Sequence, residues 1–238
     1  MSRDIPKSGD DKVEMLRMLK STKYSAMKAR TQTINQMKAL IVTAPAELRE
    51  SLRELKTDKL TDRCAGFRPG PLVSPTATAK LVLRFLAHRY KQLTQEIHEL
   101  KSELAKLTEE IAPDLVDVYG VGPDTAAALL ITAGDNPERL RSEAAFAALC
   151  GVNPIPASSG KIKRHRLNRG GDRSANCALH LIVIVRLRRD DRTREYMERR
   201  ISEGMTKAEV IRCLKRYVAR ELFPILKKTS QTDLIRAA

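Results

Sequence analysis

AKLVLRFLAHRYKQLTQEIHELKSELAKLTEEI, residues 79–111, places apolar side chains at Ala79, Leu83, Leu86, Tyr90, Leu93, Ile97, Leu100, Leu104, Leu107 and Ile111. The steps alternate between four and three, so every one of these residues returns to the same stripe of an α-helix. At the standard rise the stripe is roughly 50 Å long. Two partners can cover it. One is another helix of the same chain, in a bundle. The other is a second copy of the chain, in an intermolecular coiled coil. The spacing leaves both open, but it sets the fold class as mainly α, built on long coiled-coil helices.

Reading outward toward the N-terminus, residues 11–43 predict a second long helix. Val13, Leu16, Leu19, Met27, Ile34, Met37 and Ile41 recur on one face, with lysines and arginines opposite. Pro45 marks its end. A helix over 46–55 follows, then one capped by Asp58 and running to Ala65 ahead of Gly66. Pro69, Gly70, Pro71, Ser74 and Pro75 form a breaker-rich link to the seam helix. Residues 1–10 are expected to be a disordered lead and 11–111 a helical coiled-coil and oligomerisation region. Residues 112–228 are expected to be a compact helical domain, and 229–238 a frayed tail.

Composition narrows the function. The 238 residues carry 44 Lys and Arg against 29 Asp and Glu, a formal net charge of +15. That excess points to a polyanion partner. No apolar run is long enough to span a bilayer, and the polar start MSRDIPKSGDDK has no signal-peptide core, so no membrane role is expected. Cys64, Cys150, Cys177 and Cys213 lie far apart in apolar helical contexts, with no Cys or His pairing typical of a metal site. Buried free thiols in a reducing cytoplasm are the expectation.

Two stretches of the 112–228 region carry candidate chemistry. In LVDVYGVGPDTAAALLITAG, Gly120 and Gly122 sit between two helical segments. Pro123 and Asp124 start the second segment, with Asp124 a candidate N-cap. This resembles a helix-hairpin-helix motif, in which a tight turn and a helix N-terminus face a DNA phosphate without reading bases. The same pattern also serves as plain packing.

The other stretch is GVNPIPASSGKIKRHRLNRGGDR, residues 151–173. Ser158 and Ser159 precede Gly160, and Lys161, Lys163, Arg164, Arg166, Arg169 and Arg173 follow. Ile155 and the 161–167 segment can pair briefly as a hairpin around the serines. A hydroxyl on a sharp turn ringed by arginines can attack a phosphodiester and leave the phosphoryl charge stabilised. A basic loop that only touches nucleic acid is the plainer reading. His165 could activate a serine or contact a phosphate. Asn168 and Asn176 could add hydrogen bonds. Beyond the loop, Asp172 should cap a deeply buried helix over 173–189. Asp191 should cap the next helix. Thr206 with Glu209 forms a capping box for a last helix over 207–222, ended by Pro224. Another short helix is expected to start at Asn136–Glu138, and one at Ser142.

The run LCGVNPIPASSGKIKRHRLNRGGDRSAN resembles the C-terminal transposase domain of the insertion-sequence-110 family, site-specific DNA recombinases. The similarity extends through RCLKRYVARELF and back through VYGVGPDTAAALLITAGDNPERLRSEAAFAALCG. The resemblance implies that Ser159, the serine before the glycine, is the nucleophile. It also implies partners: DNA, a structured guide RNA and further copies of the chain. Full-length members begin with a ribonuclease-H-like domain carrying an acidic tetrad, which nothing in this sequence supplies. Divalent metal is therefore expected only in that domain and no cofactor in this chain. Two functions follow as expectations. One is a transposase part that carries the serine nucleophile. The other is a non-catalytic module that binds DNA or RNA and oligomerises.

Overall fold

The computed structural model describes residues 12–134, 140–157 and 165–237, with side chains to residue 229. It is mainly helical. The elements in order are α1 (Lys12–Thr43), α2 (Ala46–Leu52), α3 (Thr57–Ala65), α4 (Pro75–Ile111), α5 (Pro113–Val116), α6 (Pro123–Ala133) and α7 (Glu143–Leu149). After these come β1 (Ile155–Pro156), β2 (His165–Arg166), α8 (Arg173–Arg189), α9 (Asp191–Ser202) and α10 (Lys207–Ala237). The chain divides into two compact units. One contains residues 19–103. The other contains residues up to Met18 together with those from Leu104 onward. The boundary falls inside α1 and inside α4.

In the 19–103 unit the seam of α4 is covered by its own chain. Leu83, Leu86 and Ala87 are buried with Met37 and Ile41 of α1, Leu48 and Leu52 of α2, and Leu60 and Cys64 of α3. Leu83 is fully buried. Tyr90 and Leu93 stay half-buried along the same stripe, as does Leu100. The buried face of α1 differs from the expected one. Ala26, Thr33 and the stem of Lys23 point inward, while Met27 is exposed. The α3 cap also differs: Lys56 occupies the N-cap position, and Asp58 lies in the first turn, where it still complements the helix dipole.

In the other unit, α6 packs on α8, and α10 lies against α7, α8 and α9. Ala126, Ala127, Ala128, Leu129, Leu130 and Ala133 bury most of α6. Leu179, Ile182 and Val183 of α8, Phe146 of α7 and Val210, Leu214, Val218, Ala219 and Leu222 of α10 complete the core. Three expectations need correction here. The first concerns α8, which is buried on one side only: Leu181 and Val185 are exposed. The second concerns the α9 cap. It is Asp190, whose carboxylate accepts from the Thr193 backbone N–H at 3.0 Å and from its hydroxyl, so Asp191 lies one residue inside the helix. The third is that α10 does not stop at Pro224 but runs on to Ala237. Proline removes one helical hydrogen bond. The buried Leu222 and Leu226 on either side hold the helix together across that gap. Caps expected at Ser142, Asp172 and Thr206–Glu209 form as predicted. The helix start expected at Asn136 lies outside the described residues.

Candidate nucleic-acid interface

On either side of residues 158–164, the 151–173 stretch comes together in a tightly built neck. Gly151 and Gly171 both take positive φ, 64° and 83°. A methyl on Gly171 would sit 2.7 Å from the Leu149 carbonyl oxygen and closer still to the Gly151 nitrogen. The backbones therefore cross at a distance only glycine allows. Directly beyond the crossing, the Asp172 N–H donates to the Leu149 carbonyl at 2.7 Å. Asp172 then caps α8, accepting from the Ala175 N–H at 2.8 Å. Above the neck, β1 pairs antiparallel with β2, Ile155 opposite Arg166 and Pro156 opposite His165. This is the pairing expected around the serines.

The asparagines hold the neck. Asn168 donates from Nδ2 to Asn153 Oδ1 at 2.6 Å and accepts the Gly170 N–H at 2.8 Å. Asn176, in the first turn of α8, donates from Nδ2 to the carbonyls of Cys150 and Gly151 at 2.9 and 3.0 Å. Their amide groups are engaged by the protein itself, so the expectation that they reach toward a phosphate gives way to a scaffold role.

Of the residues singled out in the sequence, Ser158, Ser159, Lys161, Lys163 and Arg164 lie outside the described residues. His165 and Arg166 sit on β2, exposed. Both line a cleft of about 650 Å³ between the hairpin and the α9–α10 corner. Arg169 and Arg173 are exposed near the neck. The cleft gathers cations that the sequence reading passed over: Arg200 from α9, and Arg212, Lys215, Arg216 and Arg220 from α10. A signal for them existed. Arg212, Arg216 and Arg220 recur every four residues, the spacing that brings side chains onto one helical face. Several acids are tied up nearby. Glu143 receives Arg216 and, at 3.3 Å, Arg220. Glu203 pairs with Arg200, and Glu209 serves the capping box with Thr206. Lys215 is only 6% exposed, and its Nζ donates to Asn176 Oδ1 at 2.8 Å. Burial, reinforced by Arg212, pulls its ammonium below the ordinary lysine value.

The second candidate stretch forms α5, a turn and α6. Gly120 has φ 88° and packs on α8, where a Cβ would lie 3.3 Å from Arg186 Cγ. Arg186 donates from Nε to the Tyr119 carbonyl at 2.9 Å and makes a bidentate pair with Glu221 at 2.7 and 2.8 Å. The turn is thus pinned from α8. Gly122 is the α6 N-cap with extended φ, so nothing in its backbone demands glycine. Its N–H donates to Thr125 Oγ1 at 2.9 Å and is not free, as the motif reading required. Asp124 is second in the helix and is not the cap.

The thiols divide. Cys64 and Cys150 are buried, and burial pushes them up to about 11 and about 12. Cys177 is exposed and Cys213 half-buried, against the expectation of four buried thiols. Among the described residues no three His, Cys, Asp or Glu side chains gather as metal ligands. No described helix is long and apolar enough to cross a membrane.

Comparison with known proteins bears on the same region. Residues 113–198, from the start of α5 into α9, match the family described as "Transposase IS116/IS110/IS902 family". The chain is also similar to "Insertion element IS110 uncharacterized 43.6 kDa protein" of Streptomyces coelicolor, at 30% identity over 159 residues. That alignment covers 66% of this chain and 39% of the relative, so it spans about two fifths of the relative's length.

Proposed function

We propose that this chain acts in DNA transposition. Residues 113–198 are a transposase domain of the IS116/IS110/IS902 family. The observation that carries the reading is the positive charge that the chain gathers beside the β1–β2 pair. The neck of Gly151, Gly171 and Asn176 fixes β1 and β2, between which Ser158 and Ser159 fall in the sequence, beside a cleft lined by Arg166, Arg200, Arg212, Arg216 and Arg220. Arginine forks suit phosphoryl oxygens. Ser159, the position to which the family resemblance points, attacks the scissile phosphodiester. Its oxygen bonds to phosphorus as the deoxyribose 3′ or 5′ oxygen leaves and takes a proton. The resulting phosphoserine ester conserves the bond energy for rejoining. Exposed Arg169 and Arg173 add positive charge near the neck, and Lys161, Lys163 and Arg164 of the same basic run join them as phosphate contacts in this reading.

A second backbone grip at Gly120 and Gly122, implied by the helix-hairpin-helix resemblance, would have to act without the Gly122 N–H, which Thr125 Oγ1 already accepts. The half-buried middle of the α4 seam, Tyr90, Leu93 and Leu100, adds a self-association surface. A structured guide RNA and a metal-binding acidic domain belong to the same reading through the family resemblance. The experiment is a DNA filter-binding titration across salt. Several phosphate contacts predict an affinity loss of about a thousandfold or more between low and moderate salt. A flat titration contradicts the reading.

A further inference from the structure

The floor of the hairpin cleft holds two cationic groups short of acceptors. Lys215 sits on the buried face of α10, beside Leu214, Val218 and Ala219. It brings three N–H donors and one positive charge. Its one described partner is a neutral amide oxygen, Asn176 Oδ1. Arg212, whose charge acts on it, is also positive. On α9, the Nε–H of Arg200 is buried with no acceptor among the described residues, while another nitrogen of the same guanidinium pairs with Glu203. Both residues line the same cleft. Burying an ammonium without a counter-charge is unfavourable, and so is burying a donor without an acceptor. An anion in the cleft would relieve both at once.

We propose that this cleft is a binding site for one backbone phosphodiester of a nucleic acid, with Lys215 as its principal cation and the Arg200 Nε–H as a second donor. The site rests on the nucleic-acid reading above and deepens it. A phosphodiester fits better than a carboxylate metabolite for two reasons. The cleft opens beside the basic hairpin, and the neighbouring cations Arg212 and Arg166 continue a path that a chain of phosphates can follow. Asn176 links the site to the hairpin. The same side chain that orients Lys215 also holds the Cys150 and Gly151 carbonyls of the neck. A phosphate seated on Lys215 is therefore in register with the base of the serine hairpin.

The experiment compares Lys215→Met with Asn176→Ala in the full chain. The first removes the charge together with the amide contact. The second removes the contact and keeps the charge. Binding to a DNA duplex and to an RNA of the same sequence is measured across salt, and thermal unfolding is followed for each protein. Lys215→Met is expected to weaken binding about tenfold, the worth of a charged hydrogen bond. It should also lower the slope of log affinity against log salt by about 0.9, one phosphate contact. Asn176→Ala should keep the wild-type slope. Loss on the DNA arm alone assigns the phosphate to DNA. Loss on the RNA arm alone assigns it to RNA, and the phosphodiester site stands in either case. If both variants lower the unfolding midpoint equally and leave affinity and slope at wild-type values, Lys215 is only a structural tie and the proposal is overturned. Failure of the wild type to show any salt slope would instead overturn the nucleic-acid reading itself.

Discussion

The two long helices α4 and α10 use their buried faces differently. In α4 the inward positions are apolar almost without interruption, from Leu83 and Leu86 through Ile97 to Leu104. In α10 the inward stripe of Val210, Leu214, Val218 and Leu222 is broken by Lys215, and cations flank it at Arg212, Arg216 and Arg220. The first face lowers the free energy of the fold. The second gives up part of that gain by burying a charge, which on the proposed reading meets a phosphate.

The sharpest way to break the contrast is to damage each face in turn. Leu83→Ala leaves a cavity in a fully buried site and should destabilise by about 3 kcal/mol. Chemical denaturation measures this, and DNA affinity of the folded protein should not change. Gly171→Ala comes next. It combines positive φ with a backbone collision, so a loss of about 2 kcal/mol is expected, together with weakened DNA binding as the neck opens. If Gly171→Ala alters neither, the neck does not position the hairpin.

Replacing Leu93 and Leu100 together by glutamate asks whether the α4 stripe serves a second copy as well as its own chain. Both are half-buried, so folding should tolerate the change with a loss of about 1 kcal/mol, and sedimentation should shift toward monomer. A wild type already monomeric at micromolar concentration would confine the seam to its own chain. The smallest effect concerns the thiols. Burial raises Cys150 to about 12 and Cys64 to about 11, so at neutral pH both stay protonated and unreactive. A thiol alkylating reagent should modify exposed Cys177 first, as peptide mass mapping would show. Because burial raises the folded-state values, the stability these thiols lend is complete below the ordinary thiol range. It is lost as pH climbs toward about 12.

Long-range periodicity was legible in the sequence, and single-residue chemistry less so. The α4 seam, the caps at Ser142 and Asp172, the Thr206–Glu209 box and the Ile155 pairing could all be read because each is a local pattern. Asp190 and Asp191 look alike in the sequence until one carboxylate meets the Thr193 N–H. Pro224 was read as a stop, although burial of Leu222 and Leu226 carries the helix past it. The cations of α10 were passed over because their meaning depends on a cleft formed by residues about fifty positions earlier. Asn176 was legible as polar but not as the clamp of the neck, since that role needs the Gly151 turn beside it.

The proposed role of Ser159 as the nucleophile can be tested directly. The direct measurement is a denaturing gel of labelled DNA incubated with wild type, Ser159→Ala and Ser158→Ala, with a ribonuclease-H-like acidic domain of the family supplied in trans. The account predicts a covalent protein–DNA adduct for wild type, a reduced but substantial one for Ser158→Ala, and none for Ser159→Ala. All three proteins should bind DNA alike, because a lost hydroxyl removes little volume. An adduct that persists in Ser159→Ala would contradict the claim. If it vanished only in Ser158→Ala, the nucleophile would move by one residue. If it survived both changes, the hairpin would be a phosphate clamp and not the reacting group.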